Sequence, residues 1–265
     1  MHTFAAFTAI ATFVLLIAGG LVTSTDSGLA VPDWPLSYGT LFPPMVGGIV
    51  YEHTHRLIAA AVGLLIITLS VWVHRREGRR WVRRLSLAAA GAVIAQGLLG
   101  GLTVVWVLPP PVSIAHACLG QLVFCLVLGV ALATSPWWRT APHLPEASSI
   151  RRRCVVLTAA FVGQLVLGAV IRHAGEALPW HLLGAVALPA IAGSIAWRIS
   201  RWPSSSRSVL GIALGILLGL LAQTLLGILT LWFGQPVLLS TTHVVMGAAL
   251  LGGSWALTLL VCRAS

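Results

Sequence analysis

Residues 95–103 read Ala-Gln-Gly-Leu-Leu-Gly-Gly-Leu-Thr, and residues 222–230 read Ala-Gln-Thr-Leu-Leu-Gly-Ile-Leu-Thr, identical at seven of nine positions. The same offset of 127 carries Ser113 onto Ser240, His116 onto His243 and Gly120 onto Gly247 without a gap. Each copy holds a second histidine: His55 lies 61 residues before His116, and His181 lies 62 before His243. All four stand at or near the end of a long apolar segment. The chain is therefore an internal duplication organised around one histidine pair per copy.

Composition fixes the environment. The sequence is 58% hydrophobic and 8% charged, with mean hydropathy +0.96, which excludes an ordinary soluble domain. A membrane span needs about 20 apolar residues. The pattern predicts eight, near 4–23, 52–73, 85–107, 114–134, 154–172, 181–199, 209–233 and 241–261. The first has no basic leader and runs on as a full span, so no cleavable signal is expected. The expected fold is all-α and integral to the membrane. Its halves, 1–135 and 150–265, are joined by the polar stretch Thr140 to Ser149, the segment expected to be loosest. Four spans per copy is an even number, so both copies have the same orientation and relate by a pseudo-twofold axis along the membrane normal.

The basic residues are 16 Arg and no Lys, for a net charge of +10. Nucleic acid is not the partner they imply, because they cluster in short loops between apolar spans. Loop 74–84 holds six, and 14 of the 16 fall on one side of the predicted topology. The excess of positive charge places both termini and these loops in the cytoplasm, and the histidine ends of the helices toward the outer face of a cytoplasmic membrane. Only Arg56 and Arg172 lie on the outer side. His74 and His143 fall in inner loops as solvated surface. Cys118, Cys125, Cys154 and Cys262 read as small apolar filler, with no CxxC or Cys/His metal spacing.

One histidine on an apolar helix is ordinarily structural; four in two matched pairs point to ligation. Polar groups within a bilayer are costly and mark function. A heme iron takes two axial imidazoles from facing helices, and the second nitrogen of each seeks an acceptor. His55 with His116, and His181 with His243, supply that arrangement from spans two and four and from spans six and eight. Zinc or copper would recruit a closer cluster or Cys and carboxylate partners, and a proton relay would need more intramembrane acids. Ser113 and Ser240, three residues before a ligand, are candidates to orient it. Gly100, Gly120, Gly227 and Gly247 leave room either for a flat ring or for close helices.

The copies also differ. Glu52-His53-Thr54-His55-Arg56 opens span two, whereas the matching positions in copy two are Leu178, Pro179 and Leu182 around His181. Positions 52, 55 and 56 share a helical face and 53 points elsewhere. Glu52 reads either as a carboxylate acting at a heme edge, with Arg56 beside it, or as half of an i,i+4 ion pair with Arg56. Arg172 is a candidate partner for a heme propionate, and the adjacent His173 reads as loop. Asp26, Asp33 and Glu176 read as solvated or capping acids of the outer loops. Aligning Gly20 and Val22 with Gly168 and Val170 leaves copy one with an outer loop longer by 22 residues, containing Pro32-Asp33-Trp34-Pro35 and Pro43-Pro44. That loop reads as an immersed lid or as a solvated segment.

The stretch Gly-Gly-Leu-Val-Thr-Ser-Thr-Asp-Ser-Gly-Leu-Ala at 19–30, Pro-Asp-Trp-Pro at 32–35 and Glu-x-x-His-Arg at 52–56, with His116, His181 and His243, resemble the heme A synthase family over essentially the whole chain. The resemblance implies eight helices in two four-helix bundles. It implies oxidation of the methyl group at ring position 8 of heme O to a formyl group by successive hydroxylations, giving heme A for terminal oxidases. By that likeness His55 and His116 flank the substrate heme with Glu52 as catalytic residue, and His181 and His243 hold a heme b that passes electrons. The implied substrate is heme O; an electron acceptor, a heme O synthase, the lipid bilayer and further copies of the chain are candidate partners. Many members carry an outer-loop cysteine pair; this sequence has none there. Two other readings stand beside it: a di-heme b-type electron-transfer protein, and a heme carrier or transporter with a parallel repeat.

Overall fold

The computed structural model describes residues 1–140, 147–202 and 207–263. His143 and the middle of the expected linker, 141–146, lie outside the described residues. The described chain is helical: α1 (His2–Ser24), α2 (Gly48–Arg76), α3 (Arg80–Val105), α4 (Pro110–Thr134), α5 (Pro136–Thr140), α6 (Ala147–Ala174), α7 (Leu178–Ile199), α8 (Arg207–Trp232) and α9 (Val237–Arg263). All but α5 contain a stretch long and apolar enough to cross a bilayer, so this is a multi-pass membrane protein with eight candidate spans.

Local chemistry sets the helix ends. Pro110 and Pro111 open α4, where a missing N–H costs no helical bond. Gly47, at φ +53°, turns the chain into α2 four residues earlier than hydropathy predicts. Glu52 therefore sits more than one turn inside a helix, and the outer loop shrinks from the expected 24–51 to 25–47. The short α5 was not expected from hydropathy, being too brief to leave a periodic signal. Its Trp138 packs on Trp81 at 5.5 Å between ring centres.

Helices α1 to α4 contact one another in a closed ring, and so do α6 to α9. Across the two rings α1 meets α9, α4 meets α6, and α4 meets α9. Exchanging α1 with α6 and α4 with α9 leaves that list unchanged, so the contacts between the rings are symmetric. Small residues let the rings approach: Phe124 packs over Gly252, and Trp255 over Gly129.

The apolar cores fill only part of each ring. In the first they comprise residues such as Val62, Ile66, Leu69, Val82, Val127 and Val130; in the second Leu157, Ile195, Ile199, Ala213, Leu257 and Val261. These lie toward the end that carries the Arg-rich loops. There His2 Nδ1 contacts the Ala131 carbonyl at 3.1 Å, and Arg79 donates to the Ala133 carbonyl at 2.9 Å. Toward the opposite end the packing thins. No described residue is buried between His53 and Val62 of α2, between Ala89 and Gly101 of α3, or between Ser113 and Gln121 of α4. The second ring repeats this: none before Leu188 in α7, after Leu220 in α8, or between Thr241 and Ala248 in α9. His55, His116, His181 and His243 all fall in these more thinly packed levels.

Candidate functional site

Each of the four histidines lies in the outer part of a second helix of a hairpin, and each ring rests on a glycine of the first helix. A Cβ on Gly19 would stand 3.1 Å from Cε1 of His55; on Gly100, 3.0 Å from that of His116; on Gly168, 3.2 Å from that of His181; on Gly227, 3.0 Å from that of His243. The glycines thus make room for imidazole, a use distinct from both sequence readings. The contacts also correct the repeat register. Gly19, not Gly20, is the counterpart of Gly168, while Gly20 faces Thr241 of the other ring at 3.3 Å. The extra loop of copy one is accordingly 23 residues, since 36 positions separate Gly19 from His55 and 13 separate Gly168 from His181.

The imidazole rings of His181 and His243 lie 6.3 Å apart, centre to centre, with an interplanar angle of 57°. Two imidazoles on opposite sides of one metal ion, with bonds of about 2 Å and about 1.2 Å from nitrogen to ring centre, stand about 6.4 Å apart. The spacing therefore fits a single axially ligated metal. No corresponding ring contact joins His55 and His116 among the described residues. Nδ1 of all four rings is buried and has no hydrogen-bond partner. The acceptor expected for the second nitrogen is not formed, nor is the orienting bond expected of Ser113 and Ser240, whose hydroxyls are also without partners. Imidazoles unpartnered by protein inside a membrane bundle are available to a ligand.

A second feature escaped the sequence reading. Gln96 Nε2 donates to the main-chain carbonyl of His116 at 3.0 Å, Gln164 to that of His181 at 2.7 Å, and Gln223 to that of His243 at 2.8 Å. Each glutamine stands four residues before the glycine under its histidine. Each side chain also lies over a second glycine, Gly120, Gly184 or Gly247, where a Cβ would meet it at 3.4 Å or less. The signal was the spacing Gln-x-x-x-Gly ahead of a histidine, three times over. Comparing hairpins rather than halves exposes it.

Around His55 the surroundings differ. Glu52 is 3% exposed; its Oε2 accepts the Val31 N–H at 2.7 Å, and its Oε1 pairs with Arg56 at 2.5 Å. Arg56 also donates to the carbonyls of Val31, Asp33 and Leu36 at 3.1, 2.7 and 2.9 Å. His53, 5% exposed, contacts the Ser37 hydroxyl through Nδ1 at 2.8 Å. It points to another face than His55, as expected, yet it also grips the loop. The indole of Trp34 lies on Gly101 of α3, where a Cβ would be 2.8 Å from the ring. Segment 25–47 is therefore a roof fastened across the first ring, with much of its outer surface exposed. The counterpart of Gly101 is Ile228, which is 53% exposed. Asp33, read as solvated or capping, caps the loop by accepting the amides of Gly39 and Tyr38 at 2.8 and 2.6 Å. Those bonds, Gly39 first, hold its carboxyl below the usual range.

Arg172 bridges the two rings. It donates to the Thr23 carbonyl, and lies 3.4 Å from both Asp26 and Gln235. His173 is in the last turn of α6, not in a loop, because that helix continues to Ala174. No group of three or more His, Cys, Asp or Glu side chains forms a compact metal site among the described residues.

A family model described as a cytochrome oxidase assembly protein, COX15-CtaA, matches residues 48–180. A heme A synthase of Symbiobacterium thermophilum is 29% identical over 266 residues, covering 95% of this chain and 80% of that protein. One of Lysinibacillus sphaericus is 29% identical over 180 residues, 66% of this chain and 59% of its own length. One of Alkalihalophilus pseudofirmus is 36% identical over 110 residues, 40% of this chain and 37% of its own. The last two matches span less than two thirds of those relatives.

Proposed function

This chain belongs to the COX15-CtaA family of cytochrome oxidase assembly proteins, and from that premise we propose that it is a heme A synthase. The observation that carries the proposal is the joining of two unlike histidine pairs in one duplicated frame. One pair has the separation of axial ligands on a fixed metal. The other lies near a carboxylate, under a roof that only its half possesses. In this reading the reaction oxidises the methyl group at ring position 8 of heme O to a formyl group by successive hydroxylations. His181 and His243 would hold a resident heme b, which would supply one-electron redox chemistry. His55 and His116 bind the substrate heme O from its two faces.

The chain's own groups then have definite tasks. The outer level of the first ring, around His55 and His116, would receive the macrocycle, with the apolar core beneath it. The roof excludes water from the reacting edge. Glu52 is fixed by the Val31 amide and by Arg56, and its carboxylate oxygens accept a proton or stabilise positive charge developing on the substrate. Arg56 is a positioning residue through its three carbonyl contacts. Arg172, on the outer rim between the rings, is placed for a propionate of either heme. The histidine ends face the outer side of the cytoplasmic membrane and both termini the cytoplasm, as the distribution of Arg supports. A heme O synthase delivers the substrate, and an electron acceptor receives the reducing equivalents.

The closed Glu52–Arg56 pair favours a second assignment for that residue, in which it anchors the roof and takes no part in chemistry. Mass spectrometry of hemes extracted from the purified protein, after co-expression with a source of heme O, tests the proposal. Heme B together with hydroxylated heme O or heme A is the expected result. Heme B alone, near two per chain, would replace the synthase with a di-heme electron carrier.

A further inference from the structure

The three glutamine bonds and the one gap among them separate the four axial positions into two kinds. Gln96, Gln164 and Gln223 tie the main chain at His116, His181 and His243 to the preceding helix. At His55 the corresponding positions are Leu15 and Ala59: a side chain with no donor, and a Cβ where His116 and His243 are followed by Gly120 and Gly247. No described side chain donates to the His55 carbonyl. The imidazole seat itself is kept, since Gly19 takes the ring as the other glycines do. What has been lost is the bond that fixes the backbone carrying the ligand.

We propose that the three glutamines are positioning residues that hold axial histidines at fixed height, and that the missing one makes His55 the yielding ligand, through which the first site admits and releases its heme. The inference rests on the heme reading given above. It follows from how a ligand on a helix moves. A histidine cannot shift along its axis without its backbone, and a bond to the carbonyl of the ligand residue resists that shift more directly than packing elsewhere. Interhelical hydrogen bonds in membranes are individually modest, so the effect concerns exchange rates and ligand geometry, not folding. A resident cofactor is served by two clamped ligands. A substrate that must leave as product is served by one clamped and one unclamped.

The test uses the intact holoprotein with apomyoglobin as heme acceptor. Gln164→Leu, which copies position 15 into the second ring, is expected to speed loss of the resident heme about three- to tenfold. It should also shift the low-spin electron paramagnetic resonance signal that reports axial imidazole orientation. Gln223→Leu provides the same readouts if Gln164→Leu does not insert. The reciprocal variant, Leu15→Gln with Ala59→Gly, should slow exchange at the first site by a similar factor and leave the resident heme unchanged. Unaltered dissociation and an unaltered resonance signal in both glutamine variants would overturn the clamp. Unaltered first-site exchange in the reciprocal variant would overturn the role given to His55. A protein holding two hemes B and forming no formyl product would sink the synthase reading, yet the dissociation rates would still decide this one.

Discussion

The two rings are the same frame finished differently. Both seat imidazoles on glycines, outward of an apolar core. Among the described residues only the first has a roof, a buried carboxylate and an unclamped histidine; the second leaves Ile228 bare where the first accepts Trp34. What is repeated describes holding a ligand, and what is unrepeated describes acting on one. An enzyme built by duplication can keep one copy as a cofactor site and let the other diverge toward chemistry. The comparison can be broken at each unrepeated feature in turn.

The largest effect is expected at Glu52. Glu52→Gln keeps the shape and an acceptor for the Val31 amide but removes the charge. A group that accepts a proton or stabilises charge in the reaction contributes about 10²- to 10⁴-fold, and product formation should fall by that order while the reduced heme spectrum persists. If Glu52→Gln retains turnover and Arg56→Met abolishes it, the carboxylate is an anchor and the guanidinium is what the roof requires.

Gly101→Ile comes next, giving the first ring the residue found in the second. A side chain there cannot coexist with the Trp34 indole 2.8 Å away. The roof should lift, protease cleavage within 25–47 should increase, and turnover should drop about tenfold by the entry of water. Undiminished turnover with a loosened loop would show that the roof is not part of the reaction. A smaller effect separates neighbouring glycines. Gly19→Ala presses on the His55 ring, whereas Gly20→Ala presses on Thr241 of the other ring. Only the first should change the spectrum of the first-site heme; a change with Gly20→Ala alone would restore the register of the Gly-x-Val match.

The spans, the histidine pairs and the asymmetry at Glu52 were legible because each has a strong one-dimensional signature: apolar length, matched spacing, and a carboxylate where its counterpart is leucine. The register of α1 against α6 was not. As letters Gly20-x-Val22 is the better match to Gly168-x-Val170, and only the position of an imidazole assigns the role to Gly19. Gln96 and Gln223 sit inside the most obvious repeat and Gln164 outside it, and none is legible as a clamp, because their partners are carbonyls and every residue has one. The roof was ambiguous in composition, since Pro and Trp suit water, membrane interface and protein surface alike; its fastening depends on Arg56 reaching three carbonyls. Main-chain acceptors leave no mark in a sequence.

The smallest effect concerns how the roof keeps its shape. Asp33 closes the turn 33–39 by accepting the Gly39 and Tyr38 amides, and its carboxyl is held below the usual range by those bonds. A depressed native pKa means that the contribution is present above the unfolded value, about 3.9, and is lost as pH falls through the native value. The side chain is open to solvent, so the effect is local to the loop. A spin label at Thr40→Cys should show constant mobility from neutral pH down to about 4, then rising mobility below. With Asp33→Asn added, the label should be mobile throughout and show no step. The roof would still be held by Arg56, His53 and Trp34, so turnover at neutral pH should decline by less than in Gly101→Ile. A pH step that survives Asp33→Asn would assign the titration to another group, and the turn would then owe its shape to backbone bonds such as the Ser37–Thr40 pair.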